Sequence, residues 1–146
     1  MKIILSGKWI FDSNLLVYAI NYDSPFHSRT EKLFLKIKSK TLKAVVTQQN
    51  ILETHKVLIR LYKKTPSESV RALDNLLQGF GISVIHPFSY TIETYHALIS
   101  QASTVSDLFD YYLAATMLDN GINRILTVNT KDFNQIPDIE AINPFV

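Results

Sequence analysis

The sequence predicts one α/β domain with a mostly parallel sheet of four to five strands, and three observations predict it. Short β-branched runs alternate with amphipathic segments along the chain, the pattern of strands joined by crossover helices. The composition, 47% hydrophobic and 19% charged, is that of a globular core with a charged surface. The 146 residues contain no repeat, low-complexity tract or linker, so one domain spanning 1–146 is expected. A chain of this length buries about two-thirds of its unfolded surface.

Each element has its own signature. Trp9 to Phe11 is a short apolar run that ends at Asp12, and Asn14 to Ile20 follows with helical spacing. Ser24-Pro25 starts an amphipathic helix over Phe26 to Lys38, in which Leu33, Phe34 and Ile37 form the apolar side. Lys43 to Thr47 (KAVVT) reads as a strand and Gln49 to Tyr62 as the helix after it. Thr65-Pro66 places a cap and a first-turn proline before a helix over Ser67 to Leu77, closed by Gly79 and Gly81. Ile82 to Ile85 is the next strand, broken by His86-Pro87. Ser89 to Ala102 is amphipathic, with Ile92, Tyr95, His96 and Ile99 on one side. Asp107 to Asn120 is the most apolar helix, with Gly121 at its C-terminal stop. Arg124 to Val128 and Ile139 to Ile142 complete the sheet.

Several function classes are excluded. There are no cysteines, hence no disulfides, thiolate metal sites or cysteine nucleophiles. No window reaches the roughly 20 apolar residues that span a bilayer. Met1 to Leu5 is too short for a signal peptide, and a cytoplasmic protein fits best. The four glycines build no phosphate-cradling loop. His27, His55, His86 and His96 share no metal-ligand spacing and are expected to be structural or exposed. Tyr111 and Tyr112 are expected in the core or a dimer contact, and Trp9 in the first strand.

Charge is unevenly distributed. Arg29 to Lys64 holds ten basic residues against two acidic ones, whereas the remainder holds five against eleven. A lobe that basic can hold a polyanion's phosphates, and Lys36, Lys38, Lys40 and Lys43 are its nucleic-acid-binding candidates; a solvated lysine-rich helix face is the plain alternative.

Open parallel sheets bind ligands beyond the carboxyl ends of their strands. Asp12 follows the first strand, Glu53 lies in the first turns of the next helix, Asp107 and Asp110 open the apolar helix, and Asn129 and Asp132 follow a later strand. Asp110 belongs to a helix that reads as buried, where an unpaired carboxylate is costly; Asp107 is equally explained as a helix-terminal acid. Converging carboxylates raise one another's pKa, and a divalent cation relieves this. Few hard oxygen ligands, with water completing the shell, suit Mg²⁺ or Mn²⁺.

These segments also carry a family resemblance. FDSNLLVYA is similar to the opening of PIN domains, NILETHKVL to their second acidic motif, and FDYYLAATMLDNGINRILTVNTKDF to the third and fourth. The motifs stand in the right order over nearly the whole chain, and the short length resembles the VapC-type toxins of prokaryotic toxin–antitoxin pairs. The resemblance implies a PIN-like three-layer α/β/α fold and an endoribonuclease using Mg²⁺ or Mn²⁺. It puts the metal on Asp12, Glu53 and Asp110, with Ser13 and Asn14 supporting the first acid and Thr127 as the strand-end hydroxyl. It also implies a small antitoxin over the acidic pocket and a homodimer.

At the fourth acidic position the chain departs from the pattern: Asn129 stands there and Asp132, three residues later, is the expected substitute. Met1 to Lys8 extends further before the first acid than in many members, as an added strand, a different start site or a leader. Two other readings compete. One is a PIN-like module that binds RNA or a partner without cleaving, which Asn129 keeps open. The other is a phospho-accepting receiver domain; Lys131 suits it, but Asp12 lacks the neighbouring acid it needs.

Overall fold

The computed structural model describes residues 5–146. The element order is β1 (Gly7–Phe11), α1 (Ser13–Ile20), α2 (His27–Lys38), β2 (Leu42–Thr47), α3 (Gln48–Arg60), α4 (Pro66–Phe80), β3 (Ser83–Ile85), α5 (Thr91–Gln101), α6 (Leu108–Asp119), β4 (Arg124–Leu126), α7 (Thr130–Asn134) and β5 (Glu140–Ile142). The five strands form one sheet in the order β3-β2-β1-β4-β5, and every pairing is parallel. The chain grows outward from β1 through β2 to β3, then returns to the other side of β1 for β4 and β5. The strand order therefore reverses between β1 and β4.

Strand alternation sorts the core into two layers. Trp9, Phe11, Ala44, Val46 and Leu126 pack with Leu15, Leu16, Leu33, Phe34 and Leu73 from α1, α2 and α4. Ile10, Val45 and Ile125 pack with Leu98 of α5, the α6 residues Tyr111, Leu113, Ala114 and Met117, and Phe133 of α7. Helices on both faces give the expected three-layer α/β/α architecture, and helix α6 is apolar all round because it sits deep in the second layer.

Several boundaries differ from the sequence expectation for identifiable reasons. Gly79 does not end α4; the helix runs to Phe80, whose ring meets Phe34 edge-on at 5.1 Å, and Gly81 alone takes the left-handed stop at φ 63°. Strand β4 ends at Leu126, two residues early, because the Thr127 hydroxyl accepts from the Asn129 backbone N–H and turns the chain. Helix α5 buries Thr91 and Leu98, leaving Ile92 and His96 outward rather than inward. Helix α7 was not expected, since five residues are too few to show a period. Of the Met1 to Lys8 segment, Gly7 and Lys8 begin β1; residues 1–4 lie outside the described ones. Among the described residues no helix is long and apolar enough to cross a membrane.

Candidate functional site

The site begins at Asp12, which ends β1 and caps α1 at the point where strand order reverses. Its carboxylate is buried at 7% exposure and accepts four hydrogen bonds. Oδ1 takes the Ser13 backbone N–H at 2.8 Å and Asn50 Nδ2 at 3.2 Å. Oδ2 takes the Thr127 hydroxyl at 2.7 Å and Asn14 Nδ2 at 3.3 Å. Asn14 Nδ2 also donates to Thr127 Oγ1 at 3.1 Å. Burial raises the Asp12 pKa despite these donors, and the nearby Asp132 charge adds to the rise.

Four more acids reach the same place. Asp12, Glu53, Asp107, Asp110 and Asp132 line one open cleft of about 380 Å³ together with Ser13, Asn14, Tyr18, Tyr62 and Asn129. Glu53, in the second turn of α3, accepts from Gln49 Nε2 at 3.1 Å and from the Ser13 hydroxyl at 3.4 Å. Desolvation raises its pKa, and the charges of Asp12 and Asp107 push the same way. Asp110, half-buried in the first turn of α6, is pushed up to about 7 by desolvation and by its acidic neighbours Asp107, Asp132, Asp12 and Glu53. Asp107 caps α6 through the Phe109 backbone N–H at 2.8 Å and lines the cleft as well, so it serves both roles.

The donor set fits a hard divalent cation. Among the described residues no basic side chain lines the cleft, so nothing else neutralises the acids. Asn14 Oδ1 is a buried oxygen with no hydrogen-bond partner, an acceptor beside Asp12 suited to a cation's hydration shell. The acids ring the cleft: among the described residues no three acidic or imidazole groups stand close enough to clasp an ion unaided. Mg²⁺ tolerates this, since it binds through one or two carboxylates and keeps several waters.

The structure places Ser13, Asn14, Thr127, Asn129 and Asp132 beside the three acids, each with its own partners. Thr127 is fully buried behind Asp12, whereas Asn129 is exposed and contributes its backbone N–H to Thr127. Asp132, in the first turn of α7, stands close enough to raise both Asp12 and Asp110. Lys36, Lys38, Lys40 and Lys43 are not brought to this cleft. Lys43 pairs with Lys8 at the amino ends of β2 and β1, about 13 Å along the strand from Thr47. Lys38 lies over the Phe80 ring at 5.5 Å, and Lys36 borders a different groove with Arg29 and Lys32. The histidines are elsewhere too; His55 meets Ser69 Oγ at 2.7 Å and His27 the Tyr18 carbonyl at 2.8 Å. Lys131 does not line the cleft, so nothing at Asp12 resembles a phospho-acceptor's lysine.

Sequence reasoning missed Gln49 and Asn50. Their signal is a pair of amides directly after the strand-ending Thr47 and its neighbour, three and four residues before the acid of the same helix. Amides in a helix's first turn are ordinarily capping residues, and that reading concealed their reach toward Asp12 and Glu53.

Comparison with known proteins bears on the fold and the family. No curated protein sequence matches the chain. The chain is similar in fold to VapBC2 from Rickettsia felis bound to a promoter DNA fragment, with TM-score 0.71 and 20% identity over 94% of this chain and 98% of that one. It is similar to VapBC-1 from nontypeable Haemophilus influenzae, with TM-score 0.67 and 18% identity over 96% and 100% of the two chains. It is also similar to the sarcin-ricin-loop-cleaving toxin VapC20 from Mycobacterium tuberculosis, with TM-score 0.63 and 13% identity over 89% and 97%. The PIN-domain family model matches residues 9–139, from β1 to the approach to β5, and the chain belongs to the PIN-domain family.

Proposed function

We propose that this chain is a metal-dependent endoribonuclease acting as the toxin of a toxin–antitoxin pair. One observation carries the reading: Asp12, Glu53, Asp110 and Asp132, from four separate segments, line a single cleft that holds no basic side chain among the described residues. Three carboxyls there have pKa values raised by burial and by one another, the electrostatic signature of a site that takes a cation.

Asp12, Glu53 and Asp110 are the residues that would hold Mg²⁺ or Mn²⁺, with Asp132 as the fourth acid. When bound, the cation supplies charge neutralisation at the scissile phosphate and lowers the pKa of a coordinated water. The chain's own residues do the rest. Thr127 and Asn14 fix Asp12 Oδ2, Ser13 spans Asp12 and Glu53, and the buried α6 holds Asp110 at the cleft wall. Asp132 supports this role better than Asn129, because a carboxylate adds charge to the shell and an amide does not.

The partner follows from the same likeness. The Rickettsia and Haemophilus relatives in fold are VapBC assemblies, which supports a small antitoxin for this chain. An arginine of the antitoxin in the acid cluster would neutralise it as a cation does. A homodimer and a cytoplasmic setting accompany this reading.

The test is cleavage of an RNA pool with Mg²⁺, with Mn²⁺ and with EDTA. Cleavage that EDTA stops and that Asp12→Asn removes is expected. RNA cut equally well in EDTA, or full activity in Asp110→Asn, sinks the assignment; a folded protein that binds RNA without cutting it would select the non-cleaving module instead.

A further inference from the structure

We propose that Gln49 and Asn50, adjacent in the first turn of α3, form the positioning pair of the acid cleft, an inference that rests on the metal-nuclease reading. Asn50 is fully buried and completes a capping box with Thr47. Its Oδ1 accepts the Thr47 backbone N–H at 2.9 Å and the Thr47 hydroxyl at 3.0 Å, while its own backbone N–H donates to Thr47 Oγ1 at 3.0 Å. The box consumes the amide's oxygen and leaves its nitrogen, and Nδ2 donates to Asp12 Oδ1 at 3.2 Å. Glutamate, aspartate or serine can serve a cap as acceptor. Only a side chain with an acceptor and a separate donor serves the cap and the carboxylate together.

Gln49 performs the matching task one residue earlier. Its Nε2 donates to Glu53 Oε1 at 3.1 Å and to the Phe109 carbonyl at 2.9 Å, in the residue just before Asp110. One amide thus ties the acid of α3 to the first turn of α6, across 60 residues of sequence. Its Oε1 is buried without a partner, a cost that the two donated bonds offset. Together the pair links β1 to α3 and α3 to α6, the three elements that carry Asp12, Glu53 and Asp110.

The chemistry explains why both are amides. A lysine or arginine would hold the same carboxylates but cancel the charge that attracts a cation. Neutral donors fix the oxygens and leave the charge. Asn50 and the Ser13 backbone N–H hold Asp12 Oδ1 as Thr127 and Asn14 hold Oδ2, so uncharged donors fix both oxygens.

The experiment is isothermal titration of Mn²⁺ into the metal-free full chain for the wild type, Asp12→Asn, Gln49→Met, Asn50→Ala and Thr47→Val, with RNA cleavage kinetics alongside. Thr47→Val breaks the same capping box but keeps the Asn50 amide, so it isolates the cap. Gln49→Met and Asn50→Ala should each weaken Mn²⁺ binding at least threefold at unchanged stoichiometry, and lower kcat while the KM for RNA holds. Thr47→Val should lower the melting temperature and leave Mn²⁺ affinity within twofold. A purely structural role would instead reduce the fraction of binding-competent sites at unchanged affinity, which overturns the proposal, as does affinity within twofold of wild type in both amide variants. Should Asn50→Ala fail to fold, Gln49→Met alone decides. A wild type that binds no Mn²⁺ overturns the nuclease reading and this inference together, whereas losses confined to Asp12→Asn overturn this inference only.

Discussion

Thr127 gives its hydroxyl to Asp12 Oδ2 at 2.7 Å across the seam between β4 and β1, joining residues 115 apart in sequence. Thr127 Oγ1 in turn accepts from the Asn129 backbone N–H and from Asn14 Nδ2, so one buried hydroxyl gathers the turn after β4, the start of α1 and the central acid. Hydrogen bonds to charged groups contribute about 1.5–3 kcal/mol. Thr127→Val is therefore expected to cost about 2 kcal/mol in urea unfolding and to weaken Mn²⁺ binding, while Thr127→Ser keeps most of both. A loss under about 0.5 kcal/mol in Thr127→Val would show that the bond is incidental.

Asp110 faces four other acids across the cleft. Replacing it with asparagine removes a carboxylate facing Asp107, Asp132, Asp12 and Glu53. In the metal-free protein at pH 8, Asp110→Asn should raise stability by on the order of 1 kcal/mol, after screening at a half-exposed site. The same variant should lose cleavage. Chemical denaturation in EDTA measures the first effect, and a destabilised variant at pH 8 would contradict the repulsion.

The pH dependence has an unusual sign. Asp110 titrates near 7 in the folded chain against 3.8 when unperturbed, so between those values the folded state holds a proton that the unfolded state has released. Stability of the metal-free protein therefore falls as pH rises from about 4 to about 7, and Asp12 and Glu53, also raised, act in the same direction. Glu68 is lowered by its bonds to Thr65 and works the other way, from an exposed position. Unfolding midpoints in EDTA should be higher at pH 5.5 than at pH 8, and excess Mg²⁺ should reverse that order. Metal affinity should drop about tenfold per pH unit below 7, because binding displaces the Asp110 proton. A midpoint that rises steadily with pH in EDTA is the result that refutes this.

The lysine set stands apart from the acid cleft. Lys40 lies in the turn before β2 and Lys43 near that strand's amino end, away from the acids. Replacing Lys36, Lys38, Lys40 and Lys43 with glutamine should weaken RNA binding and make its salt slope shallower, with kcat unchanged. An unchanged slope assigns these lysines to solvated surface.

The layers and the positions of the acids were legible in the chain alone. Strand alternation at Trp9, Ile10 and Phe11 and at Ala44, Val45 and Val46 is a local period, and local periods are legible without coordinates. Asp12, Glu53 and Asp110 were legible because each stands at a strand end or in the first two turns of a helix, on the side where parallel sheets bind ligands. What surrounds them became visible only in the folded chain. That Asn50 serves the cap with one atom and Asp12 with another, that Gln49 reaches Phe109, and that Lys43 falls at the far edge all depend on strand order and register. Such contacts join residues dozens of positions apart through side-chain atoms of ordinary polar type. No period or motif in the chain encodes them, because the fold must first bring their elements together.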